Sequence, residues 1–226
     1  MARFSKGILG GFSGKIGSVV GVSQGDIFHM RSVPRIRKTY TANELVNQAK
    51  FKKVQEYLKP LKEIVKVGFK NYYTKTGGYR AAISYTRKIA LVEDDAGFYI
   101  DPALVRISGG ELDGAIEPIV SANNRSEFRF HWNISQLGES NGSDQMMVLI
   151  YDAVNFETLT RIFDGAFRSA GELSITIPPL LKGKEVDVYI GFIAADRTSQ
   201  SESQYLGRLA IADSRIIGKR IARMKI

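Results

Sequence analysis

The sequence predicts an α+β protein with a basic, glycine-rich N-terminal arm or hairpin, a short helical module and a C-terminal antiparallel β-sandwich of the immunoglobulin or fibronectin type. Two observations lead to this prediction. The period of the apolar residues changes from about 3.6 to about 2 near residue 98, and the strands beyond it are short and joined by polar, Gly- and Ser-rich segments. The predicted parts are residues 1–40, 41–97 and 98–212, followed by a basic tail, residues 213–226.

The N-terminal 40 residues contain a glycine at every third or fourth position over much of their length, which disfavours a helix. Residues 15–22 and 27–32 have the composition of strands, and Ser23-Gln24-Gly25-Asp26 between them is typical of a turn. We therefore predict a hairpin. Because a two-stranded hairpin is marginally stable alone in water, it requires a surface on which to pack.

Thr41-Ala-Asn-Glu44 matches the capping-box pattern, so we expect a helix to begin there. Apolar residues then recur at three- and four-residue spacing as far as Tyr72, and lysines occupy much of the remaining surface. Pro60 suits the first turn of a second helix, Gly77-Gly78 ends that helix, and a shorter third helix is predicted for Tyr79–Leu91.

Alternating apolar and polar residues predict the strands of the sandwich. Phe128, Phe130 and Trp132, for example, alternate with Arg129 and His131. The predicted strands are residues 128–132, 145–154, 173–177, 186–192 and 205–212.

Charge is strongly segregated along the chain. Residues 1–90 carry 18 Lys and Arg against 4 Asp and Glu, residues 91–213 carry 9 against 19, and residues 214–226 carry five basic residues and no acid. Like charges held together repel unless an anion screens them, so we expect an anionic partner: nucleic acid, an anionic membrane or the acidic region of another copy. The residues expected to contact it are Lys15, Arg31, Arg35, Arg37, Lys38, Lys52, Lys53, Arg220 and Arg223.

The residues associated with catalysis are scarce. The chain has no cysteine, which excludes disulfides, thiolate catalysis and Cys-based zinc sites. The two histidines, His29 and His131, lie in separate segments at predicted outward positions, and the glycine-rich segment that contains Lys15 departs from the phosphate-loop pattern at Leu9 and Ile16. We therefore expect no enzymatic activity, no metal site and no cofactor.

The N-terminal sequence has basic residues, but its apolar runs are interrupted by glycine and do not form a secretory signal. The longest apolar runs are also shorter than the roughly 18–20 residues that a transmembrane helix needs. We therefore expect a cytoplasmic protein, or one carried in a particle, without an integral membrane span.

An ordered series of short segments resembles an uncharacterised family of basic proteins of about this length, found mainly in Bacteroidetes bacteria. The resemblance implies no assigned activity and no catalytic residues. Its segments run over nearly the whole chain, but the proline- and threonine-rich link usual after Pro34 is replaced by Arg35–Tyr40. The matching segments are Gly14–Gly21, Met30–Pro34, Gln48–Phe51, Pro60–Lys62, Val67–Lys70, Ala81–Tyr85, Ser108–Leu112 and Tyr205–Gly207.

These observations favour a non-enzymatic structural or assembly protein. Basic arms that contact the acidic sandwich of another copy produce head-to-tail assembly, and the layout of the arm also resembles small proteins encoded near prophage-like genes. The alternative is a sequence-nonspecific nucleic-acid-binding protein that uses the basic arm and the lysine-rich helix face. A surface or adhesion module is a third, weaker hypothesis, which the missing secretory signal disfavours.

Overall fold

The computed structural model describes residues 2–4, 7, 10–24, 27–72, 77–95, 97–123, 127–135, 137 and 141–211. By their contacts they divide into two units, Met1–Leu45 and Val46–Ile226. The structure has mixed helices and several antiparallel sheets, as expected for an α+β protein. The finer division at residues 40, 97 and 212 stays a prediction.

The first unit contains a four-stranded antiparallel sheet, here called the N-terminal sheet, with its strands in sequence order. The predicted hairpin corresponds to the last two strands, but the segment 15–22 is not one continuous strand. A turn at Gly17 and Ser18 divides it, and Gly17 has a φ of 56°, which glycine adopts without strain. The strands are β1 (Arg3–Phe4), β2 (Phe12–Ile16), β3 (Val19–Gln24) and β4 (Ile27–Ser32).

Helix α1 (Ala42–Leu58) begins at the predicted capping box. The Glu44 amide donates to Thr41 Oγ1 at 3.3 Å, and the Thr41 amide donates to Glu44 Oε2 at 2.9 Å. The predicted start of this helix is therefore confirmed. These bonds stabilise the ionised carboxylate, and the Thr41 amide, followed by Arg37, lowers the pKa of Glu44.

Two further helices follow α1 in the second unit: α2 (Lys62–Gly68) and α3 (Gly78–Tyr85). Pro60 precedes α2 and does not lie in its first turn. The predicted third helix, Tyr79–Leu91, corresponds to α3 and a π-helical turn, Thr86–Ala90, that continues it, and residue 91 begins a strand.

A hairpin that the sequence did not predict connects the helices to the sandwich region. It pairs β5 (Leu91–Asp94) with β6 (Gly97–Ile100) in antiparallel register. The acidic residues Glu93 and Asp94 lie in the first strand of this hairpin.

Seven strands form two antiparallel sheets, in the orders β11-β8-β7 and β10-β9-β12-β13. The five strands predicted for this region are all present, with small differences at their ends. The strands are β7 (Ile116–Asn123), β8 (Glu127–Asn133), β9 (Gln145–Asp152), β10 (Glu157–Arg161), β11 (Glu172–Thr176), β12 (Glu185–Ile193) and β13 (Gln204–Ala210).

The central strands β9 and β12 are buried on both faces, and this divides the interior of the second unit into two cores. On one face, Met146, Val148 and Ile150 pack with side chains of the β11-β8-β7 sheet, including Phe130 and Trp132. On the other face, the core contains helix residues. Its members include Met147, Leu149, Tyr151, Tyr189, Val54, Leu58, Leu61, Ile64 and Phe69. The helices are therefore a third layer, here called the helical layer, on the outer face of the four-stranded sheet.

The segment that leads from the hairpin to β7 passes very close to α2. The Gly109 amide donates to the Gly68 carbonyl at 3.0 Å, and a Cβ placed on Gly68 would lie 2.1 Å from the carbonyl oxygen of Ile107. On the other side of this segment, the Ser203 amide donates to the Ser108 carbonyl at 3.1 Å. Only glycine at position 68 permits this approach without a backbone shift.

We expect the Gly68→Ala variant to lose roughly 1–3 kcal/mol of unfolding free energy, because the new methyl group overlaps the backbone of Ile107. The measurement is urea denaturation followed by circular dichroism. Gly142→Ala is the matched control, since the nearest atom to a Cβ there is Ser169 Cβ at 3.7 Å. An equal loss in both variants would show that the contact with Ile107 is not responsible.

Candidate functional site

Two of the predicted cationic residues lie in one row across the N-terminal sheet. Lys15 on β2 is opposite Val20 on β3, and Val20 is opposite Arg31 on β4. Residues directly opposite one another project from the same face, so Lys15 and Arg31 share a face. His29, two residues before Arg31, belongs to this face as well. Both cations are exposed, and none of the residues described here forms an ion pair with either of them.

The opposite face of the N-terminal sheet is apolar. Phe4 is opposite Phe12, with ring centroids 5.6 Å apart, and the Phe12 ring lies over Gly21, which is opposite Met30. The same face carries Ile16 and Phe28. Of its side chains, Met30 is 71% and Phe4 is 52% exposed. The two cores that the described residues form contain no residue before Val54.

The extended segment that follows the sheet carries Arg35, Arg37 and Lys38. The Arg37 guanidinium donates to both carboxylate oxygens of Glu44, at 2.6 and 3.2 Å, and lies 5.6 Å from the centroid of the Tyr40 ring. Arg37 therefore already has a carboxylate partner at the start of α1. Arg35 and Lys38 are exposed and form no ion pair with the described part of the chain.

The predicted lysines of α1 are also partly engaged. Lys52 Nζ lies 3.8 Å from a carboxylate oxygen of Glu56. Lys53 donates to the Phe98 carbonyl and lies 5.3 Å from the centroid of the Phe98 ring. Lys50, one turn earlier, pairs with Glu93 of the same hairpin. This face of α1 thus holds the β5–β6 hairpin.

The structure does not gather the predicted residues into a single site. Two of them, Arg220 and Arg223, lie outside the described residues. The others are divided between the two units: Lys15, Arg31, Arg35, Arg37 and Lys38 in the first, Lys52 and Lys53 in the second.

A groove between α1 and α3, here called the α1–α3 groove, was not predicted from the sequence. It has a volume of about 670 Å³. Its three cations follow a helical spacing of i, i+7 and i+8 along the third helix, a signal that was present in the sequence. The residues that line it, none of them acidic, are Phe51, Gln55, Tyr79, Arg80, Ile83, Ser84, Arg87 and Lys88.

A buried ion pair joins Arg168 to Asp144. The guanidinium lies 3.2 Å from the carboxylate, donates to the Gly114 and Asp113 carbonyls at 2.8 and 2.7 Å, and lies 3.9 Å from the centroid of the Phe192 ring. Burial raises the pKa of Asp144, and the Arg168 charge opposes that rise. Because each of these contacts is internal, we assign the pair to the packing of the loops at this end of the sandwich.

A cluster of tyrosines lies where the helical layer meets the sheet. The hydroxyl oxygens of Tyr57 and Tyr189 lie 3.5 Å apart, and the Tyr151 hydroxyl donates to the Tyr57 carbonyl at 3.1 Å. At its border the Tyr205 hydroxyl donates to Asp187 at 2.9 Å. Burial raises the pKa of Tyr205 to about 12 and also raises the pKa of each of the other three hydroxyls.

The described residues contain no cluster suited to a metal ion. No group of three or more His, Asp or Glu side chains among them is arranged to hold a metal ion. His29 and His131 are both exposed, as their strand positions predicted. None of the helices formed by these residues is both long and apolar enough to cross a membrane.

The tyrosine cluster predicts a loss of stability at high pH. The pKa values of these hydroxyls are higher in the folded protein than the value of about 10 in the unfolded chain. Their contribution to the unfolding free energy is therefore complete below pH 10. It is lost as the pH rises toward the folded value, which is about 12 for Tyr205. We expect the unfolding free energy, measured with urea, to fall above pH 10, and to fall less steeply in Tyr205→Phe. Tyr99→Phe, at an exposed position, is the control and should match the unmodified protein; a flat profile would contradict the prediction.

Replacing Arg168 with Met leaves the Asp144 carboxylate buried without its partner, so we expect a loss of about 3–5 kcal/mol. Thermal and urea denaturation measure it. Arg129→Met, at an exposed position of β8, is the control and should change stability by less than about 1 kcal/mol. A similar small effect at Arg168 would show that the buried pair is not important for stability.

Comparisons with known proteins give a family and no activity. No curated protein matches the chain. Among solved structures, the fn3 domain of human collagen alpha-1(XX) chain is similar over 46% of this chain and 88% of that one, with 14% identity and a TM-score of 0.31, a likeness too low to support an argument. A family model described as "Family of unknown function (DUF6266)" matches residues 11–207. The chain therefore belongs to this uncharacterised family, which confirms the resemblance to a family without an assigned activity.

Proposed function

We propose that this protein is a non-enzymatic structural or assembly protein that associates with further copies of itself. The observation that carries the proposal is the N-terminal sheet, which exposes an apolar face on one side and the Lys15–Arg31 row on the other. Exposed apolar surface is costly in water, so a cover on this face lowers the free energy of the protein. A second protein surface supplies that cover.

Charge supports the choice of another copy as the partner. Lys15, Arg31, Arg35 and Lys38 are exposed cations without an ion-pair partner among the described residues. The sandwich region exposes acids that likewise lack a described ion-pair partner. These acids are Glu111, Asp113, Glu117, Glu172 and Glu185. Opposite charges on different parts of one chain favour a heterologous, head-to-tail contact between copies.

The finer description of the fold belongs to the same proposal. We propose that β7–β13 form a sandwich of the immunoglobulin or fibronectin type, supported by their seven strands, two antiparallel sheets and shared core. Four further parts of the proposal are supported only by the sequence and by the resemblance to the family. These are the phage-like or mobile-element association, the location in the cytoplasm or in a particle, the family's basic character and its mainly Bacteroidetes range. The sandwich itself is not evidence for any particular function.

The alternative is sequence-nonspecific binding of DNA or RNA through phosphate contacts. The exposed row of Lys15 and Arg31 is as well suited to the phosphates of DNA or RNA as to an acidic protein surface. Two of the cations assigned to such an interface have other contacts, however, since Arg37 pairs with Glu44 and Lys53 donates to Phe98. The apolar face of the N-terminal sheet also has no role in a phosphate interface, and we therefore prefer self-association.

Light scattering coupled to size-exclusion chromatography tests the proposal. We expect the full chain to elute as a multiple of 25.1 kDa at low salt and to become smaller at high salt, because charge attraction is screened. Deleting residues 1–38 should give a monomer at both salt concentrations. A truncated protein as large as the full chain, or a full chain that is monomeric at low salt, contradicts the proposal. A high 260/280 nm absorbance ratio at low salt that is lost on deleting residues 1–38 favours the alternative.

Paired substitutions on the same strands separate the two faces. Threonine retains strand propensity, so Ile16→Thr with Met30→Thr alters the apolar face, and Lys15→Thr with Arg31→Thr alters the basic face. We expect the first pair to weaken association at every salt concentration and the second to reduce its salt dependence. Lys62→Gln with Lys70→Gln removes two exposed charges from the helices as a control and should leave the mass unchanged.

A further inference from the structure

The α1–α3 groove lies within residues 51–88 of the second unit and shares no residue with the N-terminal sheet. Its floor is apolar and aromatic. Ile83 and Tyr79 pack against the core of the helical layer, while Phe51 remains 40% exposed. Burial raises the pKa of Tyr79, which agrees with a ring set partly into this floor. The groove therefore offers an aromatic surface that a ligand is able to reach.

Three exposed cations line the groove on the α3 side: Arg80, Arg87 and Lys88. Arg80 and Arg87 are seven residues apart, about 10 Å along a helix. The Arg87 guanidinium donates to Asn47 Oδ1 at 3.2 Å, which leaves its charge unneutralised. Arg80 and Lys88 form no ion pair with any residue that the structure describes. Lys50 on α1, in contrast, has its charge paired with that of Glu93.

Cations alone attract any anion, but cations beside an exposed aromatic ring select for ligands that carry both a negative charge and a flat ring. Single-stranded nucleic acid has both, because its phosphates bind arginine and its unpaired bases stack on aromatic side chains. A duplex keeps its bases stacked inside, and an acidic peptide has carboxylates without bases. The combination in the groove therefore favours a single strand over these two partners.

We propose that the α1–α3 groove binds single-stranded nucleic acid. The phosphates contact Arg80, Arg87 and Lys88, and a base stacks on Phe51. The contacts are to the backbone and to the face of the base, so binding is independent of sequence.

Fluorescence anisotropy with the full-length protein and a short labelled oligothymidylate tests the phosphate contacts. For three contacts on a single strand, the logarithm of the association constant should fall with the logarithm of salt concentration with a slope of about −2. We expect Arg80→Glu with Arg87→Glu to bind at least tenfold more weakly. The control, Lys62→Glu with Lys70→Glu, has the same net charge and should retain the affinity of the unmodified protein.

The aromatic contact is tested with Phe51→Ala. We expect about tenfold weaker binding of the oligothymidylate, with the weak binding of a duplex of the same length unchanged. Polyglutamate at the same concentration of charge should not displace the oligothymidylate. Circular dichroism melting curves show which variants are folded, and the two arginine substitutions, both at exposed positions, remain informative if Phe51→Ala does not fold.

Several results would overturn the proposal. These are no binding by the unmodified protein, an equal loss in the lysine control, a folded Phe51→Ala variant with full affinity, or displacement by polyglutamate. The last result would instead identify an acidic protein segment as the ligand. Because the groove shares no residue with the N-terminal sheet, none of these results bears on self-association through that sheet.

Discussion

The burial of strands β9 and β12 on both faces is the constraint on which the rest of the second unit depends. Successive side chains of a strand project to opposite faces, and Gln145–Asp152 is buried along its whole length. Such a sheet needs a cover on each side. The β11-β8-β7 sheet covers one face and the helical layer covers the other. The close contact of Gly68 with Ile107 and the tyrosine cluster both lie where the helices meet the remainder of the unit. Both therefore follow from this packing.

The N-terminal sheet also has an apolar face, but the cores of the described residues do not include it. Its apolar face, which includes Phe4 and Met30, belongs to neither core of the described residues. Covering this face with another surface would therefore lower the free energy, which supports the proposed role of the N-terminal sheet in association. The hypothesis of self-association depends on this apolar face, while the basic row on the other face decides which kind of partner is favoured.

The number of charged residues in a segment does not show which of their side chains already have an ion-pair partner within the protein. Part of the acidity of residues 91–213 is neutralised internally, since Asp144 pairs with Arg168 and Asp187 with Arg208. Among the cations, Arg37 is paired, whereas Arg80 and Lys88 form no ion pair with the described residues. Cations without a described ion-pair partner are therefore also found outside the set of residues expected to contact an anion.

The sequence alone determined the features that depend on residues close together in the chain. These are the capping box at Thr41–Glu44, the alternation of the sandwich strands and the separation of charge. Strands β7 and β10 were missed because they lack a clear alternation, and β7 contains Glu117 at a φ of 49°. Only the tertiary structure decided that helices cover the outer face of β9, that Lys53 contacts Phe98 and that Phe51 lies beside Arg80 and Arg87. The reason is physical: these contacts join residues far apart in the chain, and their formation depends on how complete elements pack, which no local pattern of residues specifies.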